Sequence, residues 1–80
     1  MVTITEYTDS EHTTIARTMP DGIRYLTESL VAMVGYSEIT ARSMAKKAIS
    51  KSINGKSSVM VAYVNSSYIS VECNYTGILS

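Results

Sequence analysis

The sequence predicts an α+β fold in the order β-β-α-α-β-β, with a four-stranded antiparallel sheet and a helical hairpin packed on one of its faces. Three observations lead to this prediction. Both ends of the chain alternate apolar with polar residues, as half-buried strands do, and the middle repeats apolar residues at helical spacing. The composition of the 80 residues, 45% apolar and 18% charged, is typical of a folded chain. We therefore expect residues 1–80 to form one small globular domain.

The first segment predicts a β-hairpin. Residues 2–8, VTITEYT, alternate in polarity and are rich in β-branched side chains, which indicates a half-buried strand. Residues 9–11 break the pattern with turn-forming side chains, and residues 12–19 resume a β-like run. A short helix over residues 11–17, capped within that turn, is the competing interpretation.

Two helices are predicted in the middle of the chain. Asp21 is predicted to cap the first, which ends at Gly35, a residue suited to the left-handed position after a helix. Ser37 is predicted to cap the second, which ends at residues 54–55, Asn-Gly. One side of this second helix carries small or apolar residues that allow close packing: Ala41, Ala45, Ala48, Ile49 and Ser52.

The last segment predicts a second hairpin, with strands over residues 59–64 and 68–73 around an Asn-Ser-Ser turn. The first of these strands is apolar on both faces and is predicted to lie centrally in the sheet. The second alternates, with Tyr68, Ser70 and Glu72 on one face and Ile69, Val71 and Cys73 on the other. Residues 74–80 are expected to fray.

Catalytic and metal-binding motifs do not emerge from the sequence. His12 is the single histidine and Cys73 the single cysteine, and we interpret them as a surface residue and a small core residue. The carboxylates are scattered, the four glycines stand apart from one another, and one His with one Cys is too few for a zinc site. We expect a non-enzymatic protein that needs neither a metal nor a cofactor.

Location is predicted from cysteine use and hydropathy. A lone cysteine cannot form an internal disulfide, and the N-terminus lacks the pattern of a secretory signal, which together favour a cytoplasmic location. The longest uninterrupted apolar run, residues 30–34, is far shorter than the roughly 20 residues that a membrane-spanning helix requires. We expect no membrane partner.

The charge of the second helix raises a DNA-binding hypothesis. Arg42 and the lysines that follow it form a basic run without an acid, although the net charge of the chain is zero. Residues 30–44, LVAMVGYSEITARSM, resemble the helix-turn-helix signature of bacterial repressors, with Gly35 in the turn and Ser37 as the cap. The resemblance implies that the helix over residues 37–53 reads DNA, with base edges and phosphates contacted by Glu38, Ile39, Arg42, Ser43, Lys46 and Lys47.

The same resemblance implies that the hairpin over residues 58–73 acts as a wing beside the DNA-reading helix. DNA binding is the alternative hypothesis and not the leading one, because a neutral domain lacks the high isoelectric point usual among nucleic-acid binders.

The leading hypothesis is a small non-enzymatic binding module or regulator that acts by protein–protein interaction. By analogy, a short neutral chain of this kind suits an inhibitor or adaptor, such as those encoded by phages and mobile elements, for which the location would be the host cytoplasm. Tyrosine and arginine are favoured anchors of protein interfaces. An exposed sheet face or edge would also suit a homodimer. The predicted contact residues are Arg42, Lys46, Lys47, Lys51, Tyr63 and Tyr68.

Overall fold

The computed structural model describes residues 1–73, and the prediction that residues 74–80 fray lies outside the described residues. The elements follow the predicted order β-β-α-α-β-β. Their bounds are β1 Val2–Tyr7, β2 Glu11–Ala16, α1 Met19–Ser29 with a π-helical extension Leu30–Val34, α2 Glu38–Gly55, β3 Val59–Val64 and β4 Ser67–Cys73.

The four strands form one antiparallel sheet in the order β2-β1-β4-β3, which confirms the predicted fold class. The N-terminal hairpin is confirmed against the short-helix alternative, because β2 pairs with β1 along six residues. In β1 the apolar residues Val2 and Ile4 are buried, while Thr3 and Thr5, which alternate with them, are only partly covered. This alternation places one face of the sheet toward the helices.

The prediction that β3 lies centrally is wrong. Among the described strands, β3 pairs only with β4 at the edge of the sheet, and β4 lies between β1 and β3. The apolar run of β3 therefore does not reflect burial on both faces, since Met60 and Tyr63 are 65% and 64% exposed. A β-bulge between Met60 and Ala62 shifts the pairing register within this edge strand.

The predicted cap of α1 is also wrong. Thr18, in extended conformation, is the N-cap, and its hydroxyl oxygen accepts a hydrogen bond from the Asp21 backbone N–H at 3.3 Å. Asp21 instead lies in the first turn, where its negative charge interacts favourably with the positive end of the helix dipole. Pro20 fits this first turn because the N–H that it lacks would have no partner within the helix.

The junction between the helices follows the prediction. Gly35 adopts a left-handed conformation with φ of 88°, and its N–H donates to the carbonyl oxygens of Leu30 and Val31 at 3.2 and 3.1 Å. The first of these bonds spans five residues and belongs to the π-helical extension. Ser37 then caps α2 by accepting a hydrogen bond from the Thr40 backbone N–H.

The core lies between the two helices and one face of the sheet. The predicted packing stripe of α2 is confirmed, because all five of its residues are buried. Leu26 and Leu30 of the first helical segment meet this stripe and the inward side chains of the central strands: Val2, Ile4, Ile69 and Val71. The helices thus cover one sheet face, and no other element among residues 1–73 covers the opposite face.

Ser52 connects the helical layer to the sheet. Its hydroxyl donates a hydrogen bond to the Ser57 carbonyl at 2.7 Å and accepts one from the Cys73 backbone N–H at 2.9 Å. The side chain is fully buried, so these bonds form away from water. They fix the end of β4 against the last turns of α2.

Candidate protein-binding surfaces

The uncovered face of the sheet is the first candidate surface. Residues directly opposite each other on antiparallel strands project to the same face, so the pairing register identifies its members. We call this surface the open face; its side chains come from β2 (Glu11, Thr13, Ile15), β1 (Thr3, Thr5, Tyr7), β4 (Tyr68, Ser70, Glu72) and β3 (Met60, Tyr63). No Lys or Arg from the described strands stands among them.

Three tyrosines form a continuous row across one end of the open face. Tyr7 of β1 is paired with Tyr68 of β4, and their rings stack with centroids 4.4 Å apart and planes inclined by 17°. Tyr63 of β3 lies opposite Tyr68 on its other side and is 64% exposed. We call Tyr7, Tyr68 and Tyr63 the tyrosine row. Stacking restricts the rings before any partner arrives, which lowers the entropic cost of binding.

Apolar and hydroxyl side chains occupy the open face beyond the tyrosine row. Ile15 and Met60 are 56% and 65% exposed on the same face. The Thr5 and Thr13 hydroxyls lie 3.4 Å apart, and the Glu72 carboxylate accepts a hydrogen bond from the Ser58 hydroxyl at 2.8 Å. The open face is therefore weakly charged and bears two large apolar side chains in contact with water.

The outward side of α2 is the second candidate surface. We call its four cations, Arg42, Lys46, Lys47 and Lys51, the basic stripe; all four are exposed, and none forms an ion pair with residues 1–73. Arg24 on α1 differs, because it pairs with Asp21 at 3.4 Å and lies over the Tyr25 ring at 4.9 Å. A hydrogen bond with Tyr25, and then the charge of Asp21, raise the pKa of Arg24.

The six predicted contact residues divide between the two surfaces. The basic stripe belongs to the helical layer, and Tyr68 belongs to the open face on the other side of the sheet. The β3 edge brings part of each group close together, since Lys47 and Lys51 line a groove with residues 59–61 of the strand that carries Tyr63.

The residues of the helix-turn-helix hypothesis are all accessible. Each of the six predicted DNA-contacting residues on α2 is exposed, and Ile39 reaches 85%. The hairpin over residues 58–73 belongs to the sheet, because its strand β4 is paired with both β1 and β3. Its role as a wing stays a prediction.

His12 and Cys73, the single histidine and the single cysteine of the sequence, lie apart. His12 is exposed opposite Glu6, whereas Cys73 is buried opposite Val2. Their partners on β1 are four residues apart, or about 13 Å along the strand, which is beyond hydrogen-bond reach. Within residues 1–73, no group of three or more His, Cys, Asp or Glu could hold a metal ion.

No helix in the described part of the chain combines the length and the apolarity that a bilayer crossing requires. Comparison with protein-family models, curated proteins and solved structures finds no match.

Three open-face residues, Tyr7, Ile15 and Met60, are not among the contact residues that the sequence predicts. Tyr7 falls on the same face of its strand as Thr3 and Thr5, and its proximity to Tyr68 depends on the pairing of β1 with β4. Ile15 lies in the predicted N-terminal hairpin, but the sequence does not show which face of the hairpin it occupies. Its β-branched side chain in an alternating run is a signal only when that face is known to be exposed.

Proposed function

We propose that the chain is a small non-enzymatic binding module that recognises another protein through its open face. The single observation that carries this proposal is the tyrosine row, which shares its face of the sheet with the exposed Met60 and Ile15. Tyrosine and methionine are enriched in protein interfaces, and a few buried aromatic anchors usually supply most of the binding energy.

The electrostatics of the open face also favour a protein partner. Interface cores are depleted of charge; Glu11 stands on the edge strand β2 at one end of the tyrosine row, and Glu72 stands at the opposite end of the face. Glu72 is already satisfied in part by the Ser58 hydroxyl. Covering the centre of the face would therefore remove few charges from water, and desolvation would cost correspondingly little.

We further propose that the chain acts as a regulator in the cytoplasm. The lone Cys73 is buried and unpaired, as suits a reducing compartment. An inhibitor or adaptor of the kind encoded by phages and mobile elements would act there, in the host cytoplasm if the source is a phage. A second copy of the chain is an alternative partner for the same face, and it would be detected as a concentration-dependent increase in molecular mass.

Partner capture tests the proposal. The immobilised full chain is used as bait in lysate of the source cells, beside the variants Tyr63→Thr and Tyr36→Thr. Threonine retains β propensity at the edge-strand position, and Tyr36 lies outside the open face between the helices. We expect Tyr63→Thr to lose a specific partner that wild type and Tyr36→Thr both retain. Equal capture by all three would refute the assignment of the open face.

DNA binding through α2 is the second candidate function. It is supported by the four cations of the basic stripe, which have no ion-pair partner in residues 1–73, and by the exposed Glu38, Ile39 and Ser43 on the same helix. Cations arranged in this way could replace counterions along a phosphate backbone. This candidate uses the face of the molecule opposite to the tyrosine row, so the two functions can be separated by mutation.

A further inference from the structure

We infer that the groove between α2 and the edge strand β3 binds an extended acidic segment of a partner protein, which adds to the sheet as a fifth strand. This inference rests on the proposed protein-binding function and names a mode of recognition for it. Strand addition of this kind takes affinity from main-chain hydrogen bonds and specificity from alternate side chains.

The groove has an apolar floor and a basic rim. Met44 and Ala48 of α2 face residues 59–61 of β3 across a volume of about 230 Å³. Lys47 and Lys51 complete the lining on the helix side. An occupying segment would therefore meet methyl and methylene groups at the bottom and two ammonium groups along one wall.

The edge of β3 offers the backbone groups that strand addition requires. β3 pairs with β4 on one side, and no other described strand pairs with its second side. The outward N–H and C=O groups of an edge strand form a template for another chain. The bulge between Met60 and Ala62 interrupts the regular ladder at one point and leaves the rest of the six-residue strand available.

The spacing of the groove residues fits a strand with acidic side chains two positions apart. Lys47 and Lys51 are four residues apart on α2, a rise of about 6 Å. Alternate side chains on one side of a strand are separated by roughly 6.5–7 Å, which matches this rise. Neither lysine has an ion-pair partner among residues 1–73. Met44 lies about 4.5 Å from Lys47 along the helix axis, on the side away from Lys51. It favours an apolar side chain beside the two acidic ones, on the same side of the bound strand.

Lysines beside an edge strand have a second known effect, which is to discourage pairing with other chains. The two roles make opposite predictions for an acidic peptide. If the lysines only protect the edge, no peptide should bind. If they take part in recognition, the acidic peptide alone should bind, because only its carboxylates can replace water around the ammonium groups.

A peptide titration tests the inference. The probe is a fluorescein-labelled heptapeptide, Thr-Glu-Thr-Glu-Thr-Leu-Thr, titrated with the full-length chain and followed by fluorescence anisotropy. The control peptide carries lysine in place of both glutamates. We expect the acidic peptide alone to bind, and Lys47→Glu or Lys51→Glu to weaken its binding about tenfold or more. Arg17→Glu makes the same change of charge beside β2, at the far edge of the sheet, and should leave binding unchanged.

Backbone methylation separates strand addition from simple charge attraction. Alternate N–H groups of a strand point to the same side, so methylating one alternate set should abolish binding while methylating the other set should leave it intact. Equal binding of both methylated peptides, or no binding of the acidic peptide, would overturn the inference. Partner capture that is lost in Tyr63→Thr but unaffected by Lys51→Glu would leave the proposed function standing without the groove.

Discussion

Ser52→Ala tests whether the buried hydroxyl between α2 and β4 stabilises the fold. The substitution removes the acceptor of the Cys73 N–H and the donor to the Ser57 carbonyl. Cys73 is buried, so its N–H cannot turn to water, and leaving such a donor unsatisfied costs about 1–3 kcal/mol. Ser57 is exposed, so its carbonyl can be hydrated and adds little. We therefore expect the free energy of unfolding to fall by about 1–3 kcal/mol.

Urea and thermal unfolding, both followed by far-ultraviolet circular dichroism, measure this loss. For a domain of this size each kcal/mol lowers Tm by about 4–8 °C, so the expected decrease is roughly 4–24 °C. Ser50→Ala, on the exposed side of the same helix, is the matched control and should change stability by less than about 0.5 kcal/mol. A loss in Ser52→Ala no larger than that of the control would refute the reasoning.

Two further predictions concern the helical layer. Gly35→Ala should lower the free energy of unfolding, measured in urea, by about 1–2 kcal/mol. The cause is the left-handed backbone, which strains an alanine, and not crowding, because no atom lies within 4 Å of the added Cβ. The control Gly55→Ala, measured in the same way, should be neutral or stabilising. If the basic stripe binds duplex DNA, fluorescence anisotropy should show that the affinity falls steeply between about 50 and 200 mM salt. The double variant Lys46→Glu, Lys47→Glu should not bind. Absence of binding at low salt would remove the DNA-binding candidate.

Local chemistry explains what was predictable from the sequence. The predictions for Gly35 and Ser37 are correct because a left-handed helix end and an N-cap depend on a few neighbouring residues. The sequence does not separate Thr18 from Asp21 as the cap of α1, because both residue types cap helices and they stand three positions apart. The alternation of β4 was recognised correctly because one of its faces is covered by helices.

Non-local pairing explains what was not predictable. The order β2-β1-β4-β3 depends on contacts between the two ends of the chain, and an apolar run such as β3 reads alike at the centre and at an edge. The tyrosine row likewise exists only once β1 and β4 are paired. The contact between Ser52 and Cys73 joins residues that are 21 positions apart and appears in no local pattern.

The most direct test of the tyrosine row is nuclear magnetic resonance of the full chain with ¹³C-labelled tyrosine rings, titrated with the captured partner. Tyr7, Tyr63 and Tyr68 stand on the open face, whereas Tyr25 and Tyr36 lie in the helical layer and serve as internal controls. We predict that the ring signals of the tyrosine row shift or broaden on binding while those of Tyr25 and Tyr36 do not. Changes confined to Tyr25 and Tyr36 would contradict recognition through the open face.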